Sequence, residues 1–240
     1  MCGHAIAAPM DAVVVSVGGS ILMTQDGPDA ARITSMAGAL REAAQVARVL
    51  AVVGGGATAR RYIAAARAVG ENEASLDDLG IAITRANARL LLAALPEAYP
   101  AVPAGFDEAL LASKSFPIVV MGGTHAGHTT DAVAAMLAER ARAARLVIAT
   151  NVDGVYDKDP KAHKDAKFLP RIAAKDLVAL TIANAQQAGS AGVVDPLAAK
   201  LIHRSRTPTL VVHGGKLEEL VKAMTGKPHK GTVVEPEAGR

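Results

Sequence analysis

The segment 117–137, PIVVMGGTHAGHTTDAVAAML, constrains the fold more than any other part of the chain: a buried apolar strand breaks into a Gly/Thr/His loop, and a helix begins at once. Such a junction presents free backbone N–H groups to an anion, because glycines permit close approach and the helix start adds roughly half a positive charge. The same arrangement recurs at four more strand ends. The run at 13–17 (VVVSV) stops at Gly18-Gly19-Ser20, that at 50–53 (LAVV) at Gly54-Gly55-Gly56, that at 146–149 at Thr150-Asn151, and that at 209–212 at Gly214-Gly215.

Short, mostly apolar runs of this kind, β-branched above all at 13–17, suit strands buried on both faces of a parallel sheet. A sixth strand is expected at 232–234, and helical patterns occupy about 33–48, 57–69, 76–95, 131–144, 196–205 and 216–225. Strands alternating with helices of about 10 to 15 residues imply right-handed crossovers, hence an α/β fold with helices on both faces of the sheet. Ligands of such sheets lie at the carboxyl ends of the strands, where every glycine cluster falls. The charged, Pro-broken stretch 153–171 reads as an ordered loop or hairpin over that edge, starting at the turn Asp153-Gly154.

Composition narrows the options. Half of the residues are hydrophobic, yet the aromatics are only Phe106, Phe116, Phe168, Tyr62, Tyr99 and Tyr156, so the core is built from Ala, Val, Leu and Ile. No linker or repeat divides the chain, which predicts one continuous domain over 1–240, with halves at about 12–145 and 146–236. No apolar run reaches the roughly 18 residues needed to span a bilayer, and no basic segment precedes a hydrophobic one at the start, so a soluble cytoplasmic protein is expected, without membrane partners. The lone Cys2 excludes an intramolecular disulfide and a Cys-based zinc site. The net charge of +3 is spread along the chain without interleaved aromatics, which argues against nucleic acid and suits small anionic substrates.

The motifs leave several alternatives open. Gly122 to Thr129 approaches a Walker A loop but carries His128 where the lysine belongs, and no GxGxxG occurs, so phosphate is handled by another route. His125 and His128 form an H-x-x-H pair that lacks a third ligand at suitable spacing. Thr129, Thr130 and Asp131 read either as a helix cap or as part of an anion site. Arg60 and Arg61, expected in the first turn after the glycine triplet, ask for an anion there unless they are solvated. Asp77 and Asp78 fit either favourable first-turn charges or ligand contacts. Asp195-Pro196 reads as an N-cap followed by Pro at N1, with Lys200 less than two turns further on as a surface lysine or a cation for a phosphoryl group.

Taken together, GGGATARRYI, DDLGIAITRANARLLLAAL, VVMGGTHAGHTTDAVAAMLAE, ATNVDGVYDKDP and VVDPLAAKLIHRS resemble the amino-acid kinase superfamily and, within it, the archaeal type of UMP kinases, over about 13–236. The resemblance implies a three-layer α/β/α sandwich with a mainly parallel central sheet of about eight strands, usually in a homohexamer built as a trimer of dimers. It implies phosphoryl transfer from ATP with Mg²⁺ to UMP in pyrimidine nucleotide biosynthesis. Position by position, Gly54, Gly55 and Arg60 would hold the UMP phosphate, Asp77 the ribose hydroxyls, and Thr124, Thr129 and Thr130 the uridine and acceptor phosphate. Gly18, Gly19 and Ser20 would cradle phosphates between donor and acceptor, while Thr150, Asn151, Tyr156 and Asp159 would bind ATP. Catalysis would rest on Lys200, Asp131, Asp195, Gly18 and Gly19, the carboxylates meeting magnesium indirectly rather than as direct ligands. One departure stands out: many superfamily members carry a lysine just ahead of the first glycine pair, where this chain has Ser16. Serine cannot neutralise phosphoryl charge, so the load would fall on Lys200 and the metal. The competing readings are a sister kinase acting on acetylglutamate or isopentenyl phosphate, and a nucleotide- or oxyanion-binding module without catalysis.

Overall fold

The computed structural model describes residues 10–185 and 193–237; the Cys2 expectation lies outside them. Seven strands, β1 (Ala12–Val17), β2 (Arg48–Val53), β3 (Ile118–Met121), β4 (Arg145–Thr150), β5 (Arg171–Ala173), β6 (Thr209–His213) and β7 (Thr232–Glu235), form one sheet in the order β3-β2-β1-β4-β6-β7-β5. The five strands from β3 to β6 run parallel, and β7 pairs antiparallel with β6 and parallel with β5. The described residues therefore hold seven strands, against the roughly eight that the family resemblance implied.

The helices are α1 (Gly19–Leu22), α2 (Ala30–Ala43), α3 (Gly56–Ala68), α4 (Glu73–Ala93), α5 (Phe106–Ala112), α6 (Thr130–Ala141), α7 (Ala174–Ala185), α8 (Pro196–Ser205) and α9 (Leu217–Thr225). Strand alternation sends Val13, Val15 and Val17 into one apolar layer with residues of α2, α4 and α9. Ala12 and Val14 enter the other, with residues of α5, α6, α7 and α8. The result is the expected three-layer sandwich, and β1, solvent-free on both faces, is its centre.

Local chemistry sets the helix starts. The Asp29 carboxylate accepts from the N–H groups of Ala31 and Arg32, so α2 begins three residues ahead of the predicted 33 and ends at Ala43, leaving 44–47 to turn into β2. Asn72 caps α4 through the Ser75 N–H, which also moves that start forward. The segment 153–171 is hairpin-like: Tyr156 and Phe168 form an antiparallel bridge, and Asp157 N–H donates to the Lys167 carbonyl. Sequence reasoning did not foresee α1, α5, α7 or β5.

Strand order reverses between β1 and β4, the switch point at which open α/β sheets bind ligands. There Gly18 N–H donates to the Ala149 carbonyl at 3.1 Å, joining the first glycine loop to the end of β4.

Candidate active site at the switch point

Two glycine loops meet backbone to backbone at this edge. A Cβ built on Gly19 would stand 2.0 Å from the nitrogen of Gly56, so no side chain fits there without moving one loop. Gly56 itself opens α3 with φ of +62°, a conformation glycine adopts at little cost. The helix therefore begins at the third glycine, and Arg60 and Arg61 fall in its second turn rather than the first, as expected from sequence. They escape the strongest part of the unfavourable helix dipole. Arg61 reaches the Gln25 carbonyl, while Arg60 is exposed and lines a cleft.

That cleft, about 390 Å³ in volume, is where most of the expected acceptor residues gather: Gly55, Arg60, Asp77, Thr129 and Thr130 all line it. Gly54 is buried behind them, its N–H donating to the Val17 carbonyl at 3.0 Å. Because α4 starts at Glu73, Asp77 is in the second turn, and its first-turn charge reading gives way to a loop contact: the carboxylate accepts the Gly127 N–H at 2.7 Å. Thr124 is not in the lining, and its buried hydroxyl has no partner among the described residues, nor does Nδ1 of His128 at the cleft wall. The rings of His125 and His128 stand 6.0 Å apart. Among the described residues no three His, Cys, Asp or Glu side chains gather as a metal-ligand set.

Beneath the cleft, α6 and α8 converge. Thr129 caps α6 by accepting the Ala132 N–H, and its hydroxyl donates to Asp195 at 2.5 Å. Asp195 in turn caps α8 through the N–H groups of Leu197 and Ala198, with Pro196 at the first helical position, as expected. Ser16 lies on the face of β1 turned to α6 and is wholly buried, and its hydroxyl donates to Asp131 at 2.5 Å. The residue in the usual lysine position is thus committed to a carboxylate that sequence reasoning placed in catalysis. Burial pushes the Asp131 carboxyl up to about 6; the charge of Asp195 adds to the rise and the Ser16 hydrogen bond opposes it. Lys200 is exposed on α8.

The expected donor residues do not share one cavity. Ser20 and Asn151 line a cleft of about 480 Å³ together with Arg32 and His213. Tyr156 and Asp159 instead line a narrow pocket of about 20 Å³ between the hairpin and α7. Thr150 ends β4, and its carbonyl accepts the Gly214 N–H at 2.8 Å.

Sequence reasoning passed over two residues of α4. Thr84 accepts the Gly123 N–H at 2.7 Å, and the Asn87 amide donates to the carbonyls of Gly54 and Gly55 at 2.9 and 3.1 Å. The available signal was a polar side chain in an apolar stripe, Asn87 beside Ala88, Leu91 and Leu95.

Residues 11–213 match the model of the amino acid kinase family. The chain belongs to that family. It is 50% identical over 223 residues to the uridylate kinase of Methanothrix thermoacetophila, covering 92% of this chain and 98% of that protein. The uridylate kinase of Thermococcus sibiricus is 49% identical over 225 residues, covering 93% and 99%. Among solved structures, the uridylate kinase of Archaeoglobus fulgidus superposes with a TM-score of 0.84 at 44% identity, over 94% of this chain and all of that one. The family membership thus rests on nearly the whole length of the sheet, switch point included.

Proposed function

We propose that this chain is a UMP kinase, transferring the γ-phosphoryl group of ATP to UMP to give ADP and UDP. The observation that carries the reading is the acceptor cleft, which Gly55, Gly56, the exposed Arg60 and the carboxylate-bearing Asp77 line together, next to a second glycine loop. Its support in kind is the full-length likeness to uridylate kinases.

In this reading Gly54, Gly55 and Arg60 hold the UMP phosphate, Asp77 the ribose hydroxyls, and Thr124, Thr129 and Thr130 the uridine and the phosphate edge. Gly18, Gly19 and Ser20 cradle the phosphates between donor and acceptor, and Thr150, Asn151, Tyr156 and Asp159 take ATP. The part of the chain at 12–145 is then the acceptor half and 146–236 the donor half of one domain.

The chemistry asks little of the protein beyond position and charge. A UMP phosphate oxygen, already anionic, forms the new bond to the γ-phosphorus as the bond to the β-phosphate oxygen breaks, so no general base or covalent intermediate is needed. Lys200 and the glycine N–H groups stabilise charge on the transferred group. Asp131 ties the start of α6 to β1, Asp195 ties the start of α8 to that of α6, and both offer hard oxygen donors that would suit Mg²⁺ through water. Bound with the ATP phosphates, that ion supplies further neutralisation of their charge. The same reading places the enzyme in pyrimidine nucleotide biosynthesis in the cytoplasm, as a homohexamer made of three dimers.

The test is ADP release from MgATP against UMP, CMP, dUMP, AMP, acetylglutamate and isopentenyl phosphate. Turnover confined to UMP, or much faster with it, is the expected result. Turnover only with a non-nucleotide acceptor overturns the substrate, and binding of UMP without turnover overturns the reaction.

A further inference from the structure

Helix α4 touches the acceptor cleft three times along one face. Asp77 holds the Gly127 N–H, Thr84 holds the Gly123 N–H, and Asn87 holds the carbonyls of Gly54 and Gly55. The first two contacts engage the loop after β3; the third engages the loop after β2. Asn87 is 2% exposed, the most deeply buried of the three, and no other polar side chain is buried on that helix.

The geometry of the third contact has a direct consequence for the loop. In a planar trans peptide the carbonyl and the following N–H point in opposite directions. With the Gly54 and Gly55 carbonyls both drawn to one amide nitrogen, the second of them also accepting the Ala59 N–H at 3.2 Å, the N–H groups of Gly55 and Gly56 are turned away from that amide, and both residues line the cleft. Both belong to the start of α3, where N–H groups have no partner within the helix. The Asn87 nitrogen carries two hydrogens, one for each carbonyl, and the opposite amide orientation would set three oxygens against one another. A methyl, a hydroxyl or a carboxylate at this position cannot give two donors to two carbonyls.

We propose that Asn87 is a positioning residue for the acceptor phosphate: its buried amide clamps the Gly54 and Gly55 carbonyls and so aims the Gly55 and Gly56 N–H groups at the phosphate of UMP. The phosphate part of this inference rests on the UMP reading of the cleft; the clamp itself does not. Asn87 touches neither substrate, and its effect reaches them through the loop backbone.

The experiment compares wild type, Asn87→Leu, Asn87→Asp and Leu91→Ala. Leu91 is a fully buried neighbour one turn along α4, and its truncation loosens the same helix without touching the loop. In steady-state assays the two Asn87 variants are expected to raise KM for UMP by about tenfold or more, with a fall in kcat and KM for ATP within about twofold. Leu91→Ala should lower the unfolding midpoint as much as Asn87→Leu does while leaving KM for UMP near wild type. Equal KM changes for UMP and ATP, or a Leu91→Ala variant that matches Asn87→Leu, overturns the proposal. Backbone ¹⁵N relaxation on the free proteins separates the clamp from the substrate reading: loss of order at the Gly55 and Gly56 amides in Asn87→Leu alone supports the clamp even for a protein that does not turn over UMP. Unchanged order in all variants removes the clamp whatever the substrate.

Discussion

The two sides of the switch point, proposed above for acceptor and donor, are built from different materials. On the acceptor side, five expected residues from three segments share one cleft of about 390 Å³ whose walls are the ends of packed strands and the starts of long helices. On the donor side, Asn151 and Tyr156 line separate pockets, and the one that holds Tyr156 and Asp159 has room for little more than a single water. The acceptor walls are fixed by backbone hydrogen bonds to buried partners, Gly54 to Val17 and Asn87 to both glycine carbonyls. The Tyr156 wall belongs to a hairpin closed on itself by the bonds of Asp157 to Lys167 and of Leu169 to Val155 and by an edge-on contact between Tyr156 and Phe168 at 5.5 Å, and tied to the sheet through Thr232. A polar small-molecule site is thus preformed where the central sheet supplies its backbone, and narrow where a surface hairpin does.

The harshest way to break this contrast is at the seam between the two glycine loops. Gly19→Ala puts a Cβ against the nitrogen and Cα of Gly56, backbone atoms that cannot step aside as a side chain tip would. The expected cost is about 2–4 kcal/mol of stability and a loss of roughly a thousandfold or more in kcat, because both phosphate loops shift together. Chemical denaturation and ADP-release kinetics check it, and near-normal turnover would show that the loops need not touch.

A gentler probe is the carboxylate below the seam. The Asp131 carboxyl is held at about 6, well above the ordinary range, so the folded state favours its neutral form. Its contribution to stability is therefore fully present below about pH 4 and is lost as pH rises through 6. Replacement by Asn keeps an acceptor for the Ser16 hydroxyl but removes the charge. Asp131→Asn is expected to be more stable than wild type by about 1–2 kcal/mol at pH 8, the advantage fading toward pH 4, while kcat falls. Urea denaturation across that pH range tests the sign; a variant less stable at pH 8 than at pH 4, relative to wild type, contradicts it.

How much of this was legible in the sequence follows from range of interaction. The five parallel strands announce themselves through short, Val-rich and mostly apolar runs, and the caps of α6 and α8 through Thr129 and Asp195-Pro196, all of which are local signals. β5 has three residues and exists by pairing with β7, some sixty positions away, which no local pattern reports. Arg60 and Asp77 were each expected in a first turn and lie in the second, because α3 and α4 start one and three residues earlier than expected, at a positive φ at Gly56 and after a cap at Asn72. The family resemblance implied which residues would meet ligands but not which ones hold the glycine loops in place. Ser16 stood out as a missing lysine, whereas its bond to Asp131, and the bonds of Thr84 and Asn87 to the glycine loops, emerge only when the helices are packed on the sheet.

The most direct test of the division between the two sides is a pair of truncations read by the same assay. Arg60→Ala removes the exposed guanidinium from the cleft proposed for the acceptor, and Tyr156→Ala removes the ring from the hairpin pocket. The account predicts that Arg60→Ala raises KM for UMP by about ten- to a hundredfold with KM for ATP within about twofold, and that Tyr156→Ala raises KM for ATP several-fold with KM for UMP unchanged. Equal effects of either variant on both substrates, or the reverse pairing, would contradict the assignment of acceptor and donor.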